Sequence, residues 1–172
     1  QTSGTGVPVY EYNLASNPDI VAVASAENGS LGVLVEQSAA GVVVRGFGGA
    51  SSTPLWTYNF SANIKASPIR AVDVNADGSR VLVGGWDSTT PEMQVVLLDG
   101  ATGVELIRYT SATFSLAVEL SASGARAVVT QSATAVVLDT STMTSIFSFS
   151  VSGSGGHARI AADGRTVAAG GF

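Results

Sequence analysis

The chain has 172 residues, 45% of them hydrophobic and only 12% charged, and 13 acidic against 8 basic side chains give it a net charge of −5. That is one domain's length with material for a core; it is too apolar for a disordered tail and carries no basic surface for nucleic acid. Mean hydropathy is high at +0.34, yet no run approaches the roughly 18 uninterrupted apolar residues a spanning helix needs, so the chain is read as soluble with no membrane span.

Taken in chain order, the first predicted element is a strand at about 7–14, containing VPVYEYN. After it come four segments of one design: an alternating apolar run, a two-residue turn and a second apolar run. They are IVAVASAENGSLGVLVE, RAVDVNADGSRVLVGGW, LAVELSASGARAVVTQ and ARIAADGRTVAAGGF, turning at Asn28-Gly29, Asp77-Gly78, Ser123-Gly124 and Asp163-Gly164. Asn, Asp and Gly tolerate the positive φ of tight hairpin turns, so such dipeptides between alternating runs mark hairpins. The turn glycines lie 49, 46 and 40 residues apart, close to the 40–45 of a four-stranded repeat unit.

The intervening stretches repeat too. VVLLDGATGVELIRY matches VVLDTSTMTSIFSF at an offset of 40, setting Asp99 on Asp139 and Thr102 on Thr142; each reads as a strand, a turn opened by Asp, and a strand. VPVYEYN matches TPLWTYN at an offset of 46, setting Pro8 on Pro54, Tyr10 on Trp56 and Tyr12 on Tyr58. No window of a dozen residues keeps the i, i+3, i+4, i+7 spacing of a helix, and β-branched residues fill the apolar runs. The expected fold is all-β, a single domain over 1–172: a strand D at about 7–14, three A-B-C-D units at about 19–61, 68–110 and 114–152, and a half unit at 157–172.

The Asp-Gly turn between strands A and B, the Gly84-Gly85 pair and the Asp99-Gly100-Ala101-Thr102-Gly103 turn make these units resemble blades of the WD40-like, YVTN-type and quinoprotein-like β-propellers. The likeness covers nearly the whole chain and implies a β-propeller of about three and a half four-stranded antiparallel blades. Trp86-Asp87 follows strand B rather than strand C, without the Gly-His dipeptide of WD40 blades. The tryptophan that quinoprotein blades carry after the D-x-x-T-G turn is replaced by Ile107 or Arg108. With no cysteine and no calcium-ligand cluster, no cofactor, no metal ligand and no catalytic residue is assigned.

A ring needs about four to eight blades, so this arc calls for completion. One uncovered blade face of about 500 Å² forfeits about 12 kcal/mol at most. The expected partners are the remaining blades of the same propeller, in the same chain, in a cleaved fragment or in another copy; other proteins or glycans follow, and nucleic acid is excluded. A four-bladed closure by the N-terminal strand is a further way to cover the face. The start at Gln1 and the Ser/Thr-rich, Lys-poor composition lead to the expectation of a processed, secreted or cell-surface protein. Its sequons place possible N-glycosylation at Asn28 and Asn59, although about one match arises by chance in such a composition.

Among single residues, the lone His157 lacks a companion nucleophile or ligand and is read as structural. Asp73 and Glu119 lie on innermost strands and are read as solvated channel lining, with cation or sugar binding as the alternative. Asp99 and Asp139 are expected to cap their turns through Thr102 and Thr142. Tyr10, Tyr12, Trp56 and Tyr58 share a face of outermost strands and are expected to pack between blades. Trp86, Asp87 and Glu92 frame the longest acidic loop and are the candidate partner contact. The functional expectation is a non-enzymatic scaffold or interaction module. Its rivals are a fragment of a propeller oxidoreductase or hydrolase with its active residues in other blades, and a glycan-binding propeller.

Overall fold

The computed structural model describes residues 12, 19–49, 51–68, 70–90, 92–151 and 156–170. They form fifteen strands and no helix. The first sheet takes β1 (Asp19–Ser25), β2 (Leu31–Ser38), β3 (Gly41–Gly48) and β4 (Trp56–Asn59) in sequential antiparallel order. The third repeats this with β10 (Ser115–Leu120), β11 (Arg126–Gln131), β12 (Thr134–Asp139) and β13 (Thr144–Ser150). The last described sheet is the hairpin β14 (His157–Ile160) and β15 (Val167–Gly170). The strand expected at 7–14 lies outside the described residues except for Tyr12.

The second sheet breaks the pattern. Its inner strand is split into β5 (Ile64–Ala66) and β6 (Val72–Val74), both paired with β7 (Arg80–Asp87), which continues to β8 (Met93–Asp99) and β9 (Glu105–Ser111). It therefore starts ahead of residue 68. Gly84 of β7 bonds to both sides of the break, its carbonyl accepting from Ser67 N–H at 3.0 Å and its N–H donating to the Ala71 carbonyl at 2.8 Å. Pro68 has no N–H for the ladder, so the inner strand is interrupted where it stands.

Each hairpin glycine has the positive φ its turn requires, +72° at Gly29, +76° at Gly78, +71° at Gly124 and +72° at Gly164. Between the four sheets lie three apolar layers. Val33, Val35, Val42 and Val44 of the first sheet meet Val72, Val81, Val83 and Leu98 of the second. Leu82, Met93, Val95 and Leu97 on the second sheet's other face meet Val118, Ala127, Val129 and Leu138 of the third. Val128, Ala135 and Val137 then meet Ala158 and Ile160 of the hairpin. A middle sheet is thus greasy on both faces, which is why its strands read as near-continuous apolar runs.

Adjacent sheets are also joined at their hairpin turns. Asn28 N–H donates to the Ala76 carbonyl at 3.3 Å, Ala76 N–H to Ala122 at 3.0 Å, and Ala122 N–H to Ala162 at 3.1 Å. The bonds run one way, from each sheet to the next.

Candidate functional site

The innermost strands bring four charged side chains from three sheets together. Asp73, Glu119 and Arg159 each lie five residues before their turn glycine, so the repeat stacks them at one level, and the break after Pro68 adds Arg70. Arg70 Nη2 meets Asp73 Oδ1 at 2.7 Å and Nη1 meets Glu119 Oε2 at 3.4 Å; Arg159 Nη1 reaches the same Glu119 oxygen at 3.3 Å. The other Asp73 oxygen accepts Leu120 N–H at 2.7 Å, crossing from one sheet to the next. Ser25, Asn75 and Ser121 share the surrounding pocket of about 280 Å³.

Asp73 and Glu119 are only 8% exposed each, which corrects the expectation of solvated channel lining. Burial pushes both carboxyls above their usual range, against the pull of the guanidiniums. Two carboxylates face two guanidiniums, so charge is compensated within the cluster, and this arrangement staples sheets to one another. Among the described residues no group of three or more His, Cys, Asp or Glu lies close enough to hold a metal ion.

The second constellation sits at the opposite end of the sheets from the glycine turns. The connection between the second and third strands of a sheet is two residues in the first and third sheets, but runs over 88–92 in the second. Asp87 folds its start: Oδ1 accepts Thr89 N–H at 2.7 Å, Thr89 Oγ1 at 2.6 Å and Thr90 N–H at 3.2 Å, and these bonds hold its carboxyl below the usual range. Trp86 meets Phe114 of the third sheet's entry edge to face, centroids 5.0 Å apart and planes at 90°. Phe114 is 47% exposed. Beside the pair, Thr90, half-buried Glu92, Thr110, Ser111 and Ala112 line an open recess of about 440 Å³.

Other expected residues fall as follows. Asp99 Oδ1 accepts the N–H of Ala101 and Thr102 and the Thr102 hydroxyl, whereas Asp139 uses Ser141 N–H and Oγ; Thr142 instead bonds Thr144. Asn28 and Asn59 are exposed. Asn28 is already engaged, its Oδ1 accepting Ser30 N–H at 2.9 Å and its Nδ2 donating to the Asp77 carbonyl at 3.2 Å. His157 is exposed on β14, opposite Gly170. Tyr10 lies outside the described residues; Tyr12 stacks edge-on against Phe47.

Trp56 and Tyr58 cross from the first sheet to the second. Tyr58 Oη donates to Glu105 Oε2 at 2.5 Å, and Arg108 clasps both Glu105 and the tyrosine oxygen. Sequence reading missed Arg70, Arg159 and Phe114. The signal for Arg159 was its repeat position, shared with Asp73 and Glu119; for Arg70 and Phe114 only the folded chain supplies the partner.

Four-stranded antiparallel sheets stacked face to face, each with its first strand on a shared axis, define a β-propeller, and the chain is part of one. Its structure is similar to BamB from Moraxella catarrhalis (TM-score 0.60, 16% identity, 83% of this chain and 40% of that one). It is also similar to the RRP9 WD40 repeats (0.66, 10%, 86% and 42%) and to Kuenenia stuttgartiensis hydrazine synthase (0.65, 19%, 97% and 44%). The chain spans less than half the length of each of these. No protein-family model and no curated protein sequence matches it.

Proposed function

We propose that the chain belongs to a non-enzymatic propeller that serves as an interaction module, engaging a protein partner at the end that carries Trp86, Phe114 and Glu92. The observation that carries this is the asymmetry of the connections: only the second of the three complete sheets lengthens its loop at that end, and the extension, which follows half-buried Trp86 with its edge-to-face partner, exposed Phe114, supplies Thr90 and Glu92 to the lining of an open recess. Loops on a rigid scaffold are where propellers and other β folds place recognition, and exposed aromatics supply most contact energy at low ordering cost. The charged cluster on the inner strands supports a structural part for the opposite surface, because its groups are spent on one another.

The secreted or surface setting belongs to the same proposal and is supported by composition alone. The test is photo-crosslinking from Thr90 and, separately, from Asp163 at the turn end, followed by binding assays of the captured protein against Trp86→Ala and Phe114→Ala. Capture from Thr90 that both variants lose supports the reading. Capture only from Asp163, binding of glycan rather than protein, or substrate turnover by the chain overturns it.

A further inference from the structure

Asn28 is followed by glycine, and it is the only one of the six asparagines that is. The backbone nitrogen of the next residue attacks a side-chain amide most readily where that residue has no Cβ to block the close approach. Asn13, Asn59, Asn63 and Asn75 precede Leu14, Phe60, Ile64 and Ala76, and Asn17 precedes Pro18, which has no N–H to lose. Asp77, Asp99 and Asp163 also precede glycine. An ionised carboxylate resists such attack, and hydrogen bonds from Ser79 and Thr102 hold the Asp77 and Asp99 carboxyls below their usual range. Asn28 is exposed. The matching turn residues Asp77 and Ser123 are exposed too, although each has a sheet on both sides, so this exposure belongs to the turn and not to the place of the first sheet in the chain.

In the folded turn both reacting groups are held. Gly29 N–H donates to the Ala26 carbonyl at 3.1 Å. The Asn28 amide accepts Ser30 N–H on Oδ1 at 2.9 Å and donates from Nδ2 to the Asp77 carbonyl of the second sheet at 3.2 Å. Ser30 Oγ donates to the same carbonyl at 3.1 Å, and Asn28 N–H to the Ala76 carbonyl at 3.3 Å. The bonds to Asp77 and Ala76 cross the first junction. Local opening of the turn, which frees Gly29 N and Asn28 Cγ for one another, therefore requires the two sheets to part at this end.

We propose that Asn28 is the site of spontaneous deamidation in this chain and that the junction between the first and second sheets sets its rate. Gly29 N gives its proton to hydroxide and bonds to Asn28 Cγ; the Cγ–Nδ2 bond breaks, and Nδ2 leaves as ammonia with a further proton from water. Water then opens the cyclic imide at either of its carbonyls, leaving aspartate or isoaspartate. The product lacks the Nδ2 donor and sets a carboxylate against the Asp77 carbonyl, so the conversion loosens the junction that restrained it. This goes beyond the interaction reading and is independent of binding at Trp86.

Peptide mapping with an isoaspartate assay tests it on the 172-residue chain, incubated in mildly alkaline buffer with and without urea. Isoaspartate is expected at Asn28 ahead of every other asparagine, and at least about tenfold more slowly in the folded chain than in urea. Gly78→Ala is the junction variant, because Gly78 has φ +76° and a Cβ there would stand 2.5 Å from Ser30 Oγ. It raises the folded rate at least about threefold, while Gly164→Ala, with matching backbone strain at φ +72° in the last hairpin, leaves it unchanged. Circular dichroism checks folding. If Gly78→Ala does not fold, Ser30→Ala, which removes one hydrogen bond to the Asp77 carbonyl, is read in its place with the same direction expected. No isoaspartate at Asn28, faster conversion at another asparagine, equal rates with and without urea, or equal acceleration by Gly164→Ala overturns the proposal.

Discussion

The indole Nε1–H of Trp56 donates to the carbonyl of Gly100 at 2.8 Å, joining the outer strand of the first sheet to the last turn of the second. Trp56 lies directly opposite Gly46 on β3, and its ring fills the space where a Cβ on Gly46 would stand 2.2 Å away and one on Gly103 2.6 Å away. Where quinoprotein-like blades carry a tryptophan after the D-x-x-T-G turn, this chain has Ile107 or Arg108. Register shows that Ile107, opposite Leu97, is the same strand position in the second sheet. The role exists, filled by tryptophan in one sheet because only there is the cross-strand neighbour a glycine.

Trp56→Phe keeps most of the ring but leaves the Gly100 carbonyl without its donor, at a cost of about 1–3 kcal/mol. Trp56→Ala opens the junction and costs about 3–5 kcal/mol. Gly46→Ala expels the ring from the other side and costs about 1–3 kcal/mol by overpacking. Urea-unfolding midpoints of the three variants check the order.

Asp73 holds Leu120 N–H across the second junction. Asp73→Asn retains an acceptor oxygen, while Asp73→Ala leaves a buried N–H unpaired, so alanine is expected to be the worse by about 1–3 kcal/mol. Amide exchange at Leu120 reads the difference: it accelerates in the alanine variant and stays slow in asparagine. Equal exchange in both would remove Asp73 from the junction.

The acidic groups pull stability in opposite directions with pH. Burial raises the Asp73 carboxyl above its ordinary 3.8, so the wild type loses this contribution as pH rises through 3.8 toward the folded value, where the unfolded chain ionises first. The Thr102 and Ala101 hydrogen bonds lower the Asp99 carboxyl, so its contribution is present above 3.8 and is lost as pH falls toward the folded value. Against the wild type, Asp73→Asn therefore gains stability with rising pH across this range and Asp99→Asn loses it. Denaturation midpoints measured through the acid range should diverge with those signs.

At the alkaline end, burial and the hydrogen bond to Glu105 push the Tyr58 hydroxyl up to about 12 from 10. The unfolded chain ionises first, so stability falls as pH rises from 10 to about 12. Tyr58→Phe removes that contribution and flattens this part of the profile, and tyrosinate absorbance of the native protein should show one late-titrating group that the variant lacks.

Thr130 Oγ1 is buried on β11 without a hydrogen-bond partner among the described residues. Thr130→Val replaces the hydroxyl with a methyl of similar size and is expected to stabilise by about 1–2 kcal/mol. A rise in the thermal midpoint with unchanged circular dichroism checks it.

The residues around Gly29, Gly78, Gly124 and Gly164 determined the hairpins, the period and hence the stacked all-β architecture, because a two-residue reversal and an alternating run are local devices written in adjacent positions. Cap residues such as Asp99 were equally legible, their partners lying within three residues. What only the tertiary structure decided is which side chains from different sheets meet: Arg70 with Glu119, Trp86 with Phe114, Trp56 with Gly100. Such pairs lie 28 to 49 residues apart, and their contact depends on the twist, the split of the inner strand at Pro68 and the sideways offset of one sheet on the next. The burial of Asp73 and Glu119, which raises both carboxyls, was decided there as well, since burial is a property of the assembled layers and not of any stretch of chain.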